Sequence, residues 1–185
     1  VIPYSYLKFI LVISLIALFP GCNDKKQAAK PTHSSEKLNI RSIKKAILKT
    51  PFGEELDTTL AIMLKDQIRG LSGVQPENFK DNEAMLFFYT KDELHHFWMP
   101  DTYFDLDLFY LDKNFRVIGI QRDLKHYPSR NPDHKIPRAE PFFCRHVLEM
   151  KASSPIANKI RMGMNLKWTS EPSPLQIESS IHRAR

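Results

Sequence analysis

The segment at residues 95–112, HHFWMPDTYFDLDLFYLD, gathers side chains that could bind a small molecule. Trp98 would give a ligand a flat apolar wall, and the carboxylates of Asp101 and Asp107 would orient its polar groups. The same residues also fit a strand that ends at Pro100 and a turn that follows it. The segment therefore allows two interpretations, a ligand pocket or a structural turn.

Asp107 lies within a predicted strand, and strand alternation decides which side chains it meets. Alternation places Asp107 on the same face as Phe109 and Leu111. A carboxylate between apolar side chains needs hydrogen-bond partners, because burying it without them costs free energy. We predict that Arg69 pairs with Asp107.

This predicted pair has a structural and a functional interpretation. In the structural one, the pair and the Thr102 hydroxyl hold the loop 100–105 against a short helix. The functional one places four residues around a pocket for a small polar ligand: Arg69, Trp98, Asp101 and Asp107. The two interpretations are compatible with each other.

Metal binding is not favoured by the sequence. His95, His96 and the aspartates supply suitable ligand atoms, but adjacent histidines on a strand point to opposite faces. No HExxH, CxxC or EF-hand spacing occurs. We therefore predict no specific metal site and no cofactor.

Catalysis has little support from known motifs. Cys144 and His146 could share a face of a strand, as a nucleophile and its base would require. No third orienting residue or oxyanion motif accompanies them, so we interpret Cys144 as a buried, inert thiol. The sequence also lacks GxSxG, P-loop and GxGxxG motifs. A hydrolytic enzyme stands third among the function classes.

The N-terminus predicts export. Lys8 precedes an apolar run from Phe9 to Leu18, which is too short to span a bilayer and is typical of a signal peptide. The run ends in FPGC, which resembles a bacterial lipobox. The resemblance implies cleavage before Cys22, lipidation of Cys22 with palmitate-type acyl chains, and anchoring on the periplasmic or outer-surface side of a membrane. An ordinary secretory signal and an uncleaved anchor are the alternatives.

The composition supports one domain with attachments. The chain has 185 residues, 42% of them hydrophobic, and a formal net charge of +6. The lysines at 25–49 indicate a solvated or headgroup-facing tether, and no nucleic-acid motif accompanies them. We predict a signal peptide at 1–21, a flexible tether at 22–42, a single domain at 43–168 and a disordered tail at 169–185.

Strands dominate the predicted domain. They are predicted at 46–50, 56–62, 84–90, 95–99, 106–111, 115–122, 146–152 and 164–168. Short helices are predicted at 63–73 and 153–163. The fold class is α+β, mostly antiparallel β with two short helices, and the strand content is compatible with a partly closed barrel.

Smaller features complete the predicted domain. Met63, Ile68 and Leu71 would share the apolar face of the first helix. Asn114 would take the left-handed conformation in a hairpin turn. The four prolines of 123–141 predict a long loop.

The order of motifs resembles an uncharacterised family catalogued as domain of unknown function 192. The resemblance rests on RGL (69–71), MLF (85–87), FWM (97–99) with Thr102, LDL (106–108), VLEM (147–150) and Gly163. The sequence departs from the family pattern at Ser72, Ala84, Pro100, Asp101 and Asp105. The resemblance implies a small β-rich fold, often exported or lipid-anchored, and no established activity.

Two function classes lead. The first is a membrane-anchored ligand-binding module with a pocket near Trp98. The second is an envelope interaction protein, in which the 123–141 loop and the basic surface meet another protein or the cell wall. A formed pocket at Trp98 would favour the first class, and an exposed apolar patch over a filled core would favour the second.

Overall fold

Nine strands and two α-helices form the regular structure of residues 39, 41–131 and 135–183, which the computed structural model describes. The strands are β1 (Lys45–Lys49), β2 (Glu55–Ala61), β3 (Glu83–Phe87), β4 (Glu93–His95), β5 (Leu106–Leu111), β6 (Val117–Leu124), β7 (Phe142–Cys144), β8 (His146–Lys151) and β9 (Lys167–Trp168). The helices are α1 (Leu64–Arg69) and α2 (Pro174–Arg183). Short 3-10 turns lie at Pro76–Asn78 and Ala157–Lys159.

Seven strands form one curled, half-barrel sheet in the order β6-β5-β8-β3-β2-β1-β9. Neighbouring strands are antiparallel except β2 and β3, which are parallel and are joined by a connection that contains α1. Strands β4 and β7 form a separate two-stranded sheet. The prediction of an α+β, mostly antiparallel fold is confirmed.

The sheet buries both of its faces. Alternation in β5 sends Phe109 and Leu111 into a first core and Leu106 and Leu108 into a second. The first core is covered by the 3-10 turn Ala157–Lys159 and by α2. The second is covered by residues 71–79 and 97–104. Because β5, β8 and β3 lie between these layers, their sequences are almost continuously apolar.

The hairpin turn predicted at Asn114 forms, but its backbone conformation differs from the prediction. Phe115, and not Asn114, has a positive φ of 61°. The carboxylate of Asp112 accepts hydrogen bonds from the Asn114 and Arg116 amides at 2.8 and 3.0 Å. The Phe115 ring is buried and stacks on His146. These contacts fix the turn, and burial of Phe115 outweighs its backbone strain.

The helix predicted at 153–163 is wrong. Only the 3-10 turn Ala157–Lys159 forms there, and the Ser154 hydroxyl accepts a hydrogen bond from the Ala157 amide at 3.2 Å. The Arg122 guanidinium donates to the carbonyls of Ala157 and Ile160 at 2.9 and 2.6 Å. Those carbonyls serve a tertiary contact instead of a longer helix.

The prediction of a disordered tail at 169–185 is also wrong. Helix α2 begins at Pro174, and Ile177 is fully buried in the first core with Ile181 packed beside it. These residues are four apart and share a helix face. Two core-facing isoleucines are too few to give a clear helical pattern in the sequence, and their burial against the sheet holds the helix in place.

Three other details differ from the predictions. The apolar face predicted for the first helix forms only at Leu71, which lies beyond the end of α1 and is buried in the second core, whereas no residue of α1 is buried and Ile68 is exposed. The strand predicted at 95–99 consists of β4 and an isolated bridge from Trp98 to Arg138. Strand β7 was not predicted.

The N-terminal predictions fall almost entirely outside the described residues. The signal peptide at 1–21, the lipidation site Cys22 and most of the tether at 22–42 are in this category. Neither helix of the described part is long and apolar enough to cross a membrane.

Candidate functional site

Strand β8 presents a carboxyl group to the second face of the sheet. Leu148 and Met150 pack in the first core and Val147 in the second, so alternation directs Glu149 to the second face. Glu149 is 5% exposed, and its carboxyl forms no hydrogen bond or ion pair with the described residues. Buried polar groups without partners are uncommon in folded proteins.

Glu149 lines a cavity of about 90 Å³, which we call the Trp98 cavity. Its walls come from α1 and the turn after it, from the end of β3, and from the segment 96–102. The lining residues are Gln67, Ile68, Arg69, Gly70, Leu71, Ser72, Phe87, Tyr89, His96, Phe97, Trp98, Met99, Pro100, Thr102, Leu106 and Glu149. The cavity thus combines aromatic walls with a few polar groups, as ligand sites do.

Hydrogen bonds fix the helical wall of the cavity. The side-chain amide of Gln67 donates to the carbonyl of Ala61 at 3.2 Å, which ties α1 to the end of β2. After α1, Gly70 has a positive φ of 51° and approaches the Phe87 ring closely, which favours glycine. The Ser72 hydroxyl then donates to the Pro100 carbonyl at 2.7 Å. This last bond joins the helical wall to the segment that carries Trp98.

The Trp98 segment is an extended loop segment held by the 137–139 backbone. The Met99 amide donates to the Pro137 carbonyl at 3.1 Å, and the Ala139 amide donates to the Phe97 carbonyl at 2.9 Å. Alternation buries Phe97 and Met99 and leaves the Trp98 ring 45% exposed. The Arg138 guanidinium lies over this ring, 5.1 Å from its centroid, and the exposed remainder of Trp98 can contact a ligand.

Burial sets the electrostatics of the cavity floor. It raises the pKa of Glu149 to about 8. Burial, together with the nearby Glu149, also raises the pKa of Tyr89, which lines the same cavity. At neutral pH both groups therefore carry a proton and can donate a hydrogen bond.

Arg69 is the cationic group of the cavity. It is exposed at the end of α1, and its guanidinium forms no ion pair or hydrogen bond with the described residues. Because it remains in contact with solvent, it can stay charged without a partner. Of the four predicted ligand residues, Arg69 and Trp98 line the cavity, whereas Asp101 and Asp107 do not.

The predicted pairing of Arg69 with Asp107 is wrong. Asp107 is 1% exposed and lies on the first-core face, opposite to the Trp98 cavity. Its carboxylate accepts hydrogen bonds from the Arg122 guanidinium at 2.5 Å and from the Asp123 amide at 2.9 Å. Since Arg122 also binds the carbonyls of the 3-10 turn, the pair fastens that turn to β5 and β6.

Asp101 contributes to a loop contact. It has a positive φ of 53°, and its carbonyl accepts a hydrogen bond from the Gly73 amide at 2.8 Å. Its carboxylate accepts a hydrogen bond from the Tyr103 hydroxyl at 3.0 Å and lies 3.9 Å from Arg130. Asp101 therefore links the 100–105 loop to the turn after α1, much as the structural interpretation proposed for Asp107.

The other groups that could do chemistry are dispersed. No cluster of three or more His, Cys, Asp or Glu side chains among the described residues could hold a metal ion. Burial raises the pKa of the Cys144 thiol to about 12 and lowers that of His146 to about 3. A buried thiol with so high a pKa is a poor nucleophile.

A comparison with protein-family models finds one match, over residues 47–168, to domain of unknown function 192, described as an uncharacterized ACR. This range covers about two thirds of the chain. The chain belongs to this family. A comparison with curated proteins finds no match.

Two solved structures are similar to this domain-192 chain. A putative transcription regulator from Sinorhizobium meliloti 1021 shares 22% identity and a TM-score of 0.52, over 68% of this chain and 92% of its own. A protein of unknown function from Novosphingobium aromaticivorans DSM 12444 shares 22% identity and a TM-score of 0.53, over 67% of this chain and 84% of its own. At this identity the likeness concerns the fold.

The motifs that carry the domain-192 resemblance meet at the Trp98 cavity. RGL, FWM and VLEM contribute Arg69, Trp98 and Glu149, and Thr102 adds a hydroxyl. Sequence reasoning did not identify Glu149. The argument applied to Asp107 would have found it, because Glu149 is also a carboxylate within an apolar strand.

Proposed function

We propose that this protein is an exported, lipid-anchored module that binds a small polar ligand in the Trp98 cavity. The observation that carries the proposal is the Glu149 carboxyl, which is buried, has no partner among the described residues and lines a cavity. A group of this kind costs stability, and a ligand that bonds to it would offset that cost. Trp98 would supply the flat wall and Arg69 the charge at the rim.

The family residues support the same cavity. Glu149 comes from β8, which pairs antiparallel with β5, and Arg69 comes from α1 in the connection between β2 and β3. Trp98 comes from an extended loop segment. Elements so distant in sequence supply side chains to one concave site. Packing alone would be served as well by apolar residues at these positions, and a binding role explains why polar ones occur there.

A thermal-shift screen of the full chain against sugars, nucleotides, organic acids, amines and cell-wall fragments tests the proposal. A ligand present at 100 times its dissociation constant adds about 2.7 kcal/mol to the unfolding free energy. The shift should disappear in Trp98→Ala. Phe143→Ala is the matched control, because it also removes an exposed aromatic ring but lies outside the cavity. Shifts that are equal in both variants would contradict the proposal.

The anchor is tested separately. Cys22→Ser removes the thiol that the lipobox-like FPGC segment would present for lipidation. We expect the wild type in the membrane fraction and the variant in the soluble exported fraction. A variant that remains in the membrane fraction would overturn lipid anchoring and leave the ligand-binding proposal intact.

A specific observation also favours the second class, an envelope interaction protein. Leu94 and Phe143 are cross-strand partners in the β4–β7 sheet, and both side chains are more than half exposed. An exposed apolar pair of this kind is typical of a contact with another protein. Loss of co-purifying envelope protein in Phe143→Ala, but not in Trp98→Ala, would favour this class.

A further inference from the structure

We propose that the Trp98 cavity takes a small monocarboxylate, whose oxygen atoms pair with Arg69 and accept a hydrogen bond from the protonated carboxyl of Glu149. This inference rests on the proposed binding function and names the ligand class. Three features of the cavity lead to it: the state of the buried acid, the sign of the charge at the rim, and the character of the walls.

The strands beside Glu149 leave its carboxyl in apolar surroundings. Its cross-strand neighbours are Met85 on β3 and Leu108 on β5, and neither carries charge. Lys151 follows on the same face of β8, but its ammonium donates to the Pro76 carbonyl at 2.7 Å and lies over the Phe104 ring. Lys151 is therefore committed elsewhere and does not pair with Glu149.

The remaining titratable groups around the cavity form no hydrogen bond or ion pair with Glu149 among the described residues. Tyr89 and Tyr110 have raised pKa values, so they stay neutral at physiological pH. His96 and Arg69 line the same cavity without contacting the acid. Burial alone accounts for the pKa of Glu149 near 8. A carboxyl kept neutral in this way is a hydrogen-bond donor at neutral pH.

The rim selects the charge of the ligand. With Glu149 protonated, Arg69 is the group of the cavity that is charged at every physiological pH. A guanidinium binds a carboxylate through two parallel hydrogen bonds, which gives this pairing geometric specificity. An ammonium ligand would instead meet repulsion from Arg69 and would require Glu149 to lose its proton.

The walls and the volume select the rest of the molecule. Leu71, Phe97, Met99 and Trp98 surround the site with apolar side chains. The cavity of about 90 Å³, which opens to solvent beside Arg69 and Trp98, has room for a ligand of a few non-hydrogen atoms. A short hydrocarbon tail fits such walls, whereas inorganic phosphate has no part to place against them.

Calorimetric titration of the full chain with propionate and with propylammonium tests the inference. The two probes are matched in size and opposite in charge. Propionate should bind at pH 6.5 and bind about tenfold more weakly at pH 9, because an acid of pKa near 8 must take up a proton to donate. Inorganic phosphate, the third probe, should bind more weakly than propionate.

Variants distinguish the contribution of the Glu149 hydrogen bond to propionate binding from the contribution of the Arg69 charge. Glu149→Gln keeps a neutral donor, so propionate should bind it within about threefold of wild type and with no difference between pH 6.5 and pH 9. Glu149→Leu removes the donor, and Arg69→Gln removes the charge. Both should weaken propionate binding by at least about tenfold. Melting curves of each variant establish that it is folded.

The outcomes distinguish the two proposals. Propylammonium binding that strengthens between pH 6.5 and pH 9 and requires Trp98 would overturn the carboxylate and leave the binding function intact. Phosphate binding in place of propionate would do the same. Absence of any Trp98-dependent ligand, in these titrations and in the thermal-shift screen, would overturn both.

Discussion

Asp107 and Glu149 are carboxyl groups on neighbouring strands, and they differ in what faces them. Asp107 points into the first-core side and meets the Arg122 guanidinium and a backbone amide. Glu149 points to the other side and meets a cavity. Partners stabilise the charged form of a carboxyl, whereas an apolar cavity stabilises the neutral form. Asp107 therefore stabilises the fold through its ion pair with Arg122, and Glu149 is a candidate hydrogen-bond donor.

Replacement of Asp107 tests the fastening role. Asp107→Ala should lower the unfolding free energy by about 3 kcal/mol, because it leaves the Arg122 guanidinium and the Asp123 amide without their acceptor. Urea unfolding measures the change. Asp57→Ala is the control: its side chain pairs with Lys45 at 3.0 Å and both side chains are about half exposed, so the loss should stay below about 1 kcal/mol. Equal effects of the two substitutions would contradict the assignment.

Replacement of Glu149 tests its protonation. The pKa in the folded state, about 8, lies above the unfolded value of 4.5, so the stability it contributes is present below pH 4.5 and is lost as pH rises through 8. The difference in unfolding free energy between Glu149→Gln and wild type should therefore grow by up to about 5 kcal/mol between pH 4.5 and pH 9. A difference independent of pH would show that the acid is ionised as usual.

At the residue scale, the sequence predicted which side chain needs a partner better than it predicted which residue that partner is. Alternation correctly placed Asp107 beside Phe109 and Leu111, and it predicted that the carboxylate must be paired. It could not choose between Arg69 and Arg122, because the choice depends on which layer covers each face of the sheet. Once Arg69 lies on the second face, Asp107 is out of its reach.

Among the elements, α2 is a helix that tertiary packing stabilises although its own sequence gives little indication of a helix. Its isolated sequence is polar and short, and a helix of ten residues is marginal in water. In the folded protein Ile177 is fully buried, and Glu178 forms an ion pair with Arg145 at 3.2 Å. The tail is therefore part of the domain, although the family match ends before it.

Substitution within α2 tests this role. Ile177→Ala should lower the unfolding free energy by about 2–5 kcal/mol, because it leaves a cavity in the first core. The matched control is Leu175→Ala in the same helix, where the side chain is mostly exposed and the change should stay within about 0.5 kcal/mol. Thermal unfolding of both variants measures the contrast. Equal melting temperatures would mean that α2 does not support the sheet.

Strand prediction succeeded where periodicity was clear and failed where contacts are distant. The alternating or continuously apolar segments became β1, β2, β3, β5, β6 and β8. Strand β7 lies in PFFC, and its Phe142 ring packs over Gly119 and stacks on Tyr110. The local sequence of β7 contains no pattern that predicts these contacts or its pairing with β4. The parallel pairing of β2 with β3 is likewise a property of the crossover and not of either strand's sequence.

The whole molecule is expected to be sensitive to acid through His146. Its ring lies between Phe88 and Phe115, and burial lowers its pKa to about 3. Because the folded pKa lies below the unfolded value of 6.5, this stability is present above pH 6.5 and is lost as pH falls towards 3. The full window corresponds to about 5 kcal/mol.

His146→Phe separates this effect from general acid denaturation. The variant keeps an aromatic ring but cannot titrate, and it leaves the Tyr89 amide without the Nδ1 acceptor that lies at 3.3 Å. We expect lower stability than wild type at pH 7 and a flatter loss between pH 6.5 and pH 4, measured by urea unfolding at each pH. Parallel pH profiles of variant and wild type would contradict the role of His146.

Helix α1 has no buried residue, whereas the strand that carries Glu149 lies between two others. The ligand site is therefore built from a firmly held wall and a loosely held one. Local opening costs least where few apolar contacts must break. The residence time of a ligand should then depend on how often α1 detaches, and its affinity on Glu149. Substitution of Gln67, which ties α1 to β2 and lines the cavity beside Arg69, should therefore shorten that residence time.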